Sequence, residues 1–417
     1  MHQLKALVPP KGPIRTLCLS HVSKTAANGI LMSVAVLYFT RTVDIPAAQV
    51  GLALSLGAGI GLLAAIPAGR LADTRGPRRI TVALLCLLGV FVCGYPLVGD
   101  FTGLLLVSAA VLAVESGTDA TVNALIAGLV PPEERVLASS YMRAAANLSV
   151  VAGAGAGAVG LFLDTRAAYW GLLFGAGALF ALAGLAYLRV PDVPPVPRTE
   201  GAPVWPVLRD VPYAVVSLLN SVLIMHAGVL IVALPIWISE RTSAPAWLFP
   251  LVVIVNAAVV VLLQVRVSRG SDDVPGGARA LRRAGFLLAG CCVLFALTAV
   301  LPTWAAVLLV LAGAVVHVLG EMLHAAGSWA LGFGLAPEDA QGQYQGLFAM
   351  SSQVGQMITP VLVTVLLTRY GGGGWIAIGV VFALAGAVAP AVARWARSTR
   401  PLASPRGNPS SPSTVRP

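Results

Sequence analysis

Several ionisable side chains of this sequence lie inside long apolar stretches, where a charge needs a specific reason to be present. Glu115 and Asp119 are four residues apart in one such stretch, so on a helix they lie on one face, one turn apart. Their negative charges repel each other, and a proton on either one relieves the repulsion. The pair therefore predicts a proton carrier. The alternative is that Asp119 pairs with a nearby base and only holds helices together.

A second acid, Glu321, lies between His317 and His324 on the same face of another apolar stretch. A carboxylate and imidazoles within reach of one another can pass a proton or bind a polar substrate. The alternative is a satisfied polar cluster that lines a water-filled cavity. The spacing is not HExxH, so the sequence predicts no metal site here.

Near the start of the chain, His21, Lys24 and Asn28 form a polar stripe at helical spacing. Lys24 is either a counter-ion of Glu115 or Asp119, or a side chain that extends to the lipid headgroups. His226 is the rough counterpart of this stripe in the second half of the chain, and it is a weaker candidate for the same cavity.

Arg143 and Asn147 lie one turn apart in a further apolar stretch. Arg143 could pair with Asp119 across two helices, or anchor its helix at the membrane interface. Their position favours a structural or gating role.

The elements that must position these groups follow from composition. The 417 residues are 57% hydrophobic and 11% charged, whereas a soluble domain carries roughly 25% charged residues. The apolar runs are long and continuous, which predicts membrane-spanning helices and not a barrel. The net charge of +10 is attributed to loop arginines, so no nucleic-acid partner is expected. The sequence shows no nucleotide-binding loop, catalytic triad or cofactor motif, and predicts that the protein is not an enzyme.

The sequence predicts an all-α integral membrane protein with twelve spans in two six-helix bundles. The predicted domains are an N-terminal bundle over 1–190, a linker over 191–211, a C-terminal bundle over 212–397 and a disordered tail over 398–417. The spans are predicted at 16–39, 47–69, 80–98, 101–129, 137–163, 167–190, 212–238, 246–267, 283–301, 304–334, 342–367 and 374–396.

The distribution of Lys and Arg and an internal sequence repeat both agree with the predicted twelve-span topology. With an internal N-terminus, 21 Lys and Arg residues fall on the inner side and 4 in outer loops, which predicts two cytoplasmic termini. A shift of 206 residues aligns Glu115 with Glu321. It also aligns the sequence Gly-Leu-x-Pro at the end of span four with the same sequence at the end of span ten. Such an internal repeat is typical of transporters whose substrate site lies between two halves.

The segment between spans two and three reads Gly69-Arg-Leu-Ala-Asp73-Thr-Arg-Gly76-Pro-Arg78-Arg79. It resembles the loop between helices 2 and 3 of the major facilitator superfamily, with one extra residue at Pro77. The resemblance implies that two bundles rock about a midplane site and that this segment is a gating loop. It places Asp73 near the start of span eleven. It also implies that Arg75, Arg78 and Arg79 contact lipid or acids such as Glu133 and Glu134.

Two departures from the family limit the prediction of coupling. Gly153 and Gly157 match the family's antiporter motif, but Ala158 replaces its proline, and tight helix packing is the alternative explanation. Span four lacks the arginine usual in the family. The resulting prediction is a monomeric, proton-coupled exporter of a small organic molecule in a bacterial inner membrane. Uptake of a small solute, or a non-transporting sensor or scaffold, are the alternatives.

Overall fold

The computed structural model describes residues 9–195 and 203–400, and throughout these two ranges the regular structure is helical. Arg198 and Glu200 of the predicted linker and residues 401–417 of the predicted tail lie outside the described residues. The spans in chain order are α1 (Pro13–Arg41), α2 (Ala47–Leu62 and Ala65–Arg75), α3 (Pro77–Val92), α4 (Phe101–Leu129), α5 (Arg135–Leu163), α6 (Arg166–Tyr187), α7 (Val211–Arg241), α8 (Leu248–Val267), α9 (Val274–Leu297), α10 (Thr303–Gly334), α11 (Gln341–Tyr370) and α12 (Gly372–Ser398).

Eleven of these helices are long and apolar enough to cross a bilayer, and the two bent segments of α2 together make a twelfth. A helix satisfies its own backbone hydrogen bonds, which hydrocarbon cannot do. The predicted all-α membrane fold is therefore confirmed for the described residues. With twelve crossings, both ends of the described chain lie on one side, which we call the termini face.

The helices form two bundles of six, as predicted. In the first, α1 packs on α5 and α6, and α3 packs on α4 and α6; in the second, α7 packs on α11 and α12, and α9 packs on α10 and α12. These pairings are equivalent under exchange of the halves. Each bundle has its own apolar core, with Leu17, Leu85 and Phe180 in the first and Trp237, Phe295 and Trp375 in the second.

The gating segment is helical where a loop was predicted. The second part of α2 continues through the motif to Arg75, and α3 begins at Pro77. The whole turn is made by Gly76, whose φ of 92° lies in the region that favours glycine. The two parts of α2 meet at a bend of 40°, which the predicted span 47–69 did not indicate. The second part packs against α11 of the other bundle. Pro67 lies near its start, and a proline lacks the N–H and crowds the carbonyl four residues earlier, which accounts for the bend.

The last described residues pack against the second bundle. Helix α12 extends to Ser398, and Arg400 pairs with Asp210 at the start of α7 through a contact of 2.6 Å. The side chain of Asp210 also accepts a hydrogen bond from the backbone N–H of Tyr213, which caps α7. The segment that ends at Arg400 is therefore fastened to the second bundle.

Close backbone approach joins the bundles at the termini face. Gly69 of α2 lies against the backbone of Gly342 in α11, and a Cβ on either residue would collide with the other's carbonyl group. Nearby, the guanidinium of Arg135 donates two hydrogen bonds of 3.1 Å to the carboxylate of Glu338. The hydroxyl of Ser140 donates to that of Ser268 at 2.6 Å. The molecule is thus closed at this face.

Helix α7 is interrupted near its middle. Regular α-helix ends at Leu223, a short turn covers His226–Gly228, and a π-helical turn follows over Val229–Ala233. π-Helical turns are rare and occur often at functional sites. The interruption places His226 against the neighbouring helix α10.

Candidate functional site

A cavity of about 300 Å³ lies between the two bundles, in the half of the spans nearer the termini face. Its walls come from α1, α4 and α5 of the first bundle and from α10 and α11 of the second. Polar and aromatic side chains predominate around it, in particular His21, Asp119, Asn123, Arg143, Trp329, Ser352, Gln353 and Gln356. This position and lining make it the candidate substrate site.

An ion pair between Lys24 of α1 and Asp119 of α4 forms part of the first bundle's wall. The lysine side chain is 5% exposed, whereas the aspartate is 42% exposed and faces the cavity. One turn away, Glu115 accepts a hydrogen bond of 2.8 Å from the side-chain amide of Asn28. The base is therefore buried behind its acid, and the second acid has a neutral donor.

A second ion pair crosses from one bundle to the other. The guanidinium of Arg143 in α5 donates to the carboxylate of Glu321 in α10. The other oxygen of Glu321 accepts a hydrogen bond of 2.9 Å from Asn256 in α8 and lies 3.8 Å from Nδ1 of His317. Here the acid is the buried partner, at 11% exposure, while Arg143 is 28% exposed at the cavity wall.

Behind Glu321, three histidines and an asparagine form a buried network. Nε2 of His226 lies 3.2 Å from Nδ1 of His324, and Nε2 of His324 lies 3.2 Å from Oδ1 of Asn220. Nε2 of His317 lies 3.0 Å from the backbone carbonyl of His226. The network connects α7 to α10.

The two ion pairs give the cavity wall one exposed charge of each sign. Asp119 presents a carboxylate and Arg143 presents a guanidinium, and each is held by a less exposed counter-charge. A carboxylate that is both ion-paired and accessible can exchange a proton with the cavity, while a planar guanidinium can bind an anionic group of a ligand. The arrangement suits binding and release of a charged or polar solute.

A match to a family profile shows which protein family the chain belongs to. The profile of the Major Facilitator Superfamily matches residues 17–349. The chain belongs to this superfamily. Its function is accordingly membrane transport, and it is a multi-pass membrane protein.

Solved facilitators share the fold over nearly the whole chain. A bacterial homologue of the iron transporter ferroportin in an outward-facing state has a TM-score of 0.72 at 18% identity, covering 93% of this chain and 100% of that one. The human organic anion transporter MFSD10 has a TM-score of 0.68 at 15% identity, covering 90% and 98%. The FucP transporter, a fucose:proton symporter of E. coli, has a TM-score of 0.68 in its outward conformation at 14% identity, covering 92% and 98%. No curated protein matches the sequence.

In this facilitator, Arg143 has a partner that was not expected, whereas Lys24 has one of its two expected roles, as the counter-ion of Asp119. Arg143 pairs with Glu321 and not with Asp119, because Asp119 already has the closer Lys24. Lys24 is buried beside Asp119, which does not fit a side chain extending to headgroups. Asn147 is half-buried one turn beyond Arg143.

The basic end of the gating segment also has other partners than predicted. Arg78 and Arg79 both lie near Asp192, at 3.2 and 3.8 Å, and not near Glu133 or Glu134. Arg78 also donates to the backbone carbonyl of Val190. These contacts join α3 to the chain after α6, within one half of the facilitator.

Sequence reasoning missed polar residues that complete the site. Asn220 and Asn256 hold the histidine network and Glu321. Gln353 of α11 accepts a hydrogen bond of 3.1 Å from Ser116 of α4, across the bundles. The available signal was a lone amide side chain within an otherwise apolar span, since a buried amide needs hydrogen-bond partners much as a buried charge does.

Proposed function

We propose that this facilitator is a proton-coupled exporter of a small organic molecule. It would act by alternating access in a bacterial inner membrane, as a monomer with both termini in the cytoplasm. The observation that carries the proposal is the ion pair of Asp119 with Lys24, in which the acid faces the cavity and the base is buried.

The proposed coupling uses protonation of Asp119. A proton arriving through the cavity neutralises this carboxylate, and the ammonium of Lys24 then loses its counter-ion. Glu115 lies one turn away on the same helix and offers the lysine a second carboxylate. A change of partner would alter the contact between α1 and α4, so proton binding favours one of the two orientations of the bundles.

The proposed cargo follows from the cavity lining. A volume of about 300 Å³ fits a small molecule, and the exposed carboxylate and guanidinium favour one with polar or charged groups. Arg143 would contact an anionic group, and the amides of Gln353 and Gln356 would supply neutral hydrogen bonds. Trp329 adds one aromatic surface for an apolar part of the molecule.

Orientation and direction rest on the sequence. The excess of Lys and Arg on the termini face supports a cytoplasmic location for that face. The closure at Gly69 and Gly342 would then make this conformation outward-facing. Resemblance to bacterial exporters supports export. A transport assay in which the solute moves with the proton would establish uptake instead.

The test is transport in proteoliposomes of known protein orientation, with a panel of small organic cations, anions and zwitterions. We expect at least one compound to move against its gradient when a pH gradient is imposed, in the direction opposite to the proton. Collapse of the gradient by a proton ionophore should abolish this accumulation.

A matched pair of variants identifies the coupling group. Asp119→Asn should abolish pH-driven accumulation while leaving substrate exchange between equal concentrations measurable. Asp164→Asn removes an exposed carboxylate at the other face and should behave as the wild type. Undiminished pH-driven accumulation by Asp119→Asn would contradict the coupling, and accumulation with the proton would establish uptake.

A further inference from the structure

The protonation pattern of the histidine network can be worked out from its fixed partners. Nε2 of His317 faces the backbone carbonyl of His226, which can only accept a hydrogen bond. Nε2 of a neutral His317 must therefore carry the proton. Its Nδ1 then has a bare lone pair, because a neutral imidazole carries one proton.

The same reasoning applies to His226 through a longer chain. The hydroxyls of Ser351 and Ser352 donate to the carbonyl of Phe348, so their oxygens accept from Nδ2 of Asn220. This orientation of the amide turns Oδ1 of Asn220 toward Nε2 of His324.

Because an amide oxygen only accepts, Nε2 of His324 carries its proton and Nδ1 is bare. That bare nitrogen accepts from Nε2 of His226. Nδ1 of His226 is consequently a bare lone pair as well.

Both bare nitrogens are buried without a hydrogen-bond donor. Nδ1 of His226 and Nδ1 of His317 have no hydrogen-bond partner among the described residues. Buried polar atoms are nearly always satisfied, so unsatisfied lone pairs on two histidines whose ring centroids lie 5.3 Å apart require an explanation. His226, His317 and Glu321 place one ligand atom each within 4.8 Å of the others.

We propose that His226, His317 and Glu321 form a binding site for a divalent transition-metal ion of the Zn²⁺ type. Two neutral imidazoles and one carboxylate are a common ligand set for such ions. The outer partners are also present, since each ligating imidazole directs its other nitrogen at a fixed acceptor. Bonds of about 2 Å to a tetrahedral ion place the ligand atoms roughly 3.3 Å apart, so the side chains close in on binding.

The sequence prediction of no metal site considered only one helix. It grouped His317, Glu321 and His324, but His324 uses both ring nitrogens in hydrogen bonds. The missing ligand, His226, comes from the interrupted part of α7. The spacing of residues along α10 therefore could not indicate it.

The site shares Glu321 with Arg143. The carboxylate that would bind the ion also accepts from the guanidinium and from Asn256. Metal binding therefore competes with the ion pair between the bundles, and removal of the guanidinium should favour the metal. This competition distinguishes a metal site from a merely structural cluster.

The test is metal binding by the purified full-length chain in detergent, which does not depend on the proposed transport function. The protein carries an affinity tag without histidine, is treated with a chelator and is titrated with Co²⁺, followed by visible absorption, and then with competing Zn²⁺. We expect one ion per chain with the absorption of a four- or five-coordinate site. His317→Gln and Glu321→Gln should each weaken binding by more than the roughly 10–100-fold seen for loss of an outer partner.

Three further variants complete the design. Arg143→Gln should tighten binding, His324→Gln should weaken it by about 10–100-fold, and His21→Gln should leave it unchanged. If His226→Gln does not yield folded protein, the opposite effects of Arg143→Gln and Glu321→Gln still decide the question. Absence of stoichiometric binding, or unchanged affinity in His317→Gln, would overturn the proposal.

Discussion

Arg143 of the first bundle and Glu321 of the second form an ion pair between the bundles, at the wall of the candidate substrate cavity. The pair is asymmetric, since the acid is almost fully buried and the base partly faces the cavity. Any separation of the bundles at this depth must break the pair or carry it along. The contact is therefore both a structural link and a point at which a bound anion can replace the carboxylate.

Loss of one partner of this pair should be more harmful than loss of both. Arg143→Gln leaves Glu321 buried with only neutral donors, and we expect a loss of about 3 kcal/mol in the stability of the folded protein, since breaking a buried pair typically costs 3–5 kcal/mol. The double variant Arg143→Gln, Glu321→Gln should recover part of this loss. Thermal unfolding in detergent measures the difference.

The matched control for that series is the exposed pair Arg41–Asp164. Arg41→Gln should change stability by about 0–1 kcal/mol, as for other surface pairs. A double variant at Arg143 and Glu321 that is less stable than both single variants would contradict the assignment of an uncompensated buried charge.

The Lys24–Asp119 pair should respond unequally to its two single substitutions. Asp119→Asn leaves a lysine that is 5% exposed without its counter-ion, whereas Lys24→Gln leaves an aspartate that is 42% exposed. An unpaired buried charge is the more costly of the two. We expect Asp119→Asn to lower the unfolding temperature more than Lys24→Gln does, and the reverse order would exclude this description of the site.

Asp73 should hold the termini face closed. Its two carboxylate oxygens accept hydrogen bonds of 2.6 and 3.1 Å from the backbone N–H groups of Gly342 and Gln343, at the start of α11. An anion at a helix N-terminus is stabilised by about 0.3–1 kcal/mol, and hydrogen bonds to a charged group add roughly 1.5–3 kcal/mol. Asp73→Asn should therefore reduce transport while the protein still inserts in the membrane.

Distance measurements can test this closure directly. Spin labels at Leu97 and Val300, which are exposed at the other face in opposite bundles, should report a shorter separation in Asp73→Asn, in a background without the native cysteines. Thr74→Ala is the neighbouring control, since among the described residues its hydroxyl bonds within α2, to the carbonyls of Arg70 and Leu71. An unchanged distance distribution together with full transport would show that Asp73 is not a latch.

The glycine stretch of α5 offers a test of packing against coupling. A Cβ on Gly153 would collide with the backbone carbonyl of Ala26 in α1, whereas a Cβ on Gly155 meets nothing within 4 Å. Gly153→Ala should destabilise the first bundle, and Gly155→Ala should leave stability unchanged or slightly raise it. Equal effects of the two substitutions on unfolding would indicate that close packing is not what requires glycine here.

The spans could be predicted because each is an uninterrupted apolar run of sufficient length. The placement of Glu115 and Asp119 on one helical face also follows from their spacing, and both side chains are found in the same part of α4. The choice of Glu321 by Arg143 could not be predicted, because it depends on which helices of opposite bundles approach each other.

Irregular helices were the other limit of sequence reasoning. Residues 47–75 read as one span and a loop, yet the structure has two helical segments that bend toward α11. The π-helical turn after His226 ends just before Pro235. In both places a proline follows the irregular turn, Pro67 in α2 and Pro235 in α7. Because a proline has no N–H and crowds the carbonyl four residues earlier, the sequence carried a signal for both irregularities, but not for the helix that each segment then contacts.

The charges around the cavity determine whether the membrane potential opposes or assists reorientation of the protein. Lys24 and Arg143 supply two positive charges against the three acids Asp119, Glu115 and Glu321, so with neutral histidines the site carries one negative charge in excess. Moving one elementary charge across a membrane costs or yields about 2.3 kcal/mol per 100 mV. A single bound proton makes the site neutral, so the protonated empty carrier would reorient without work against the membrane potential, whereas the deprotonated carrier would not.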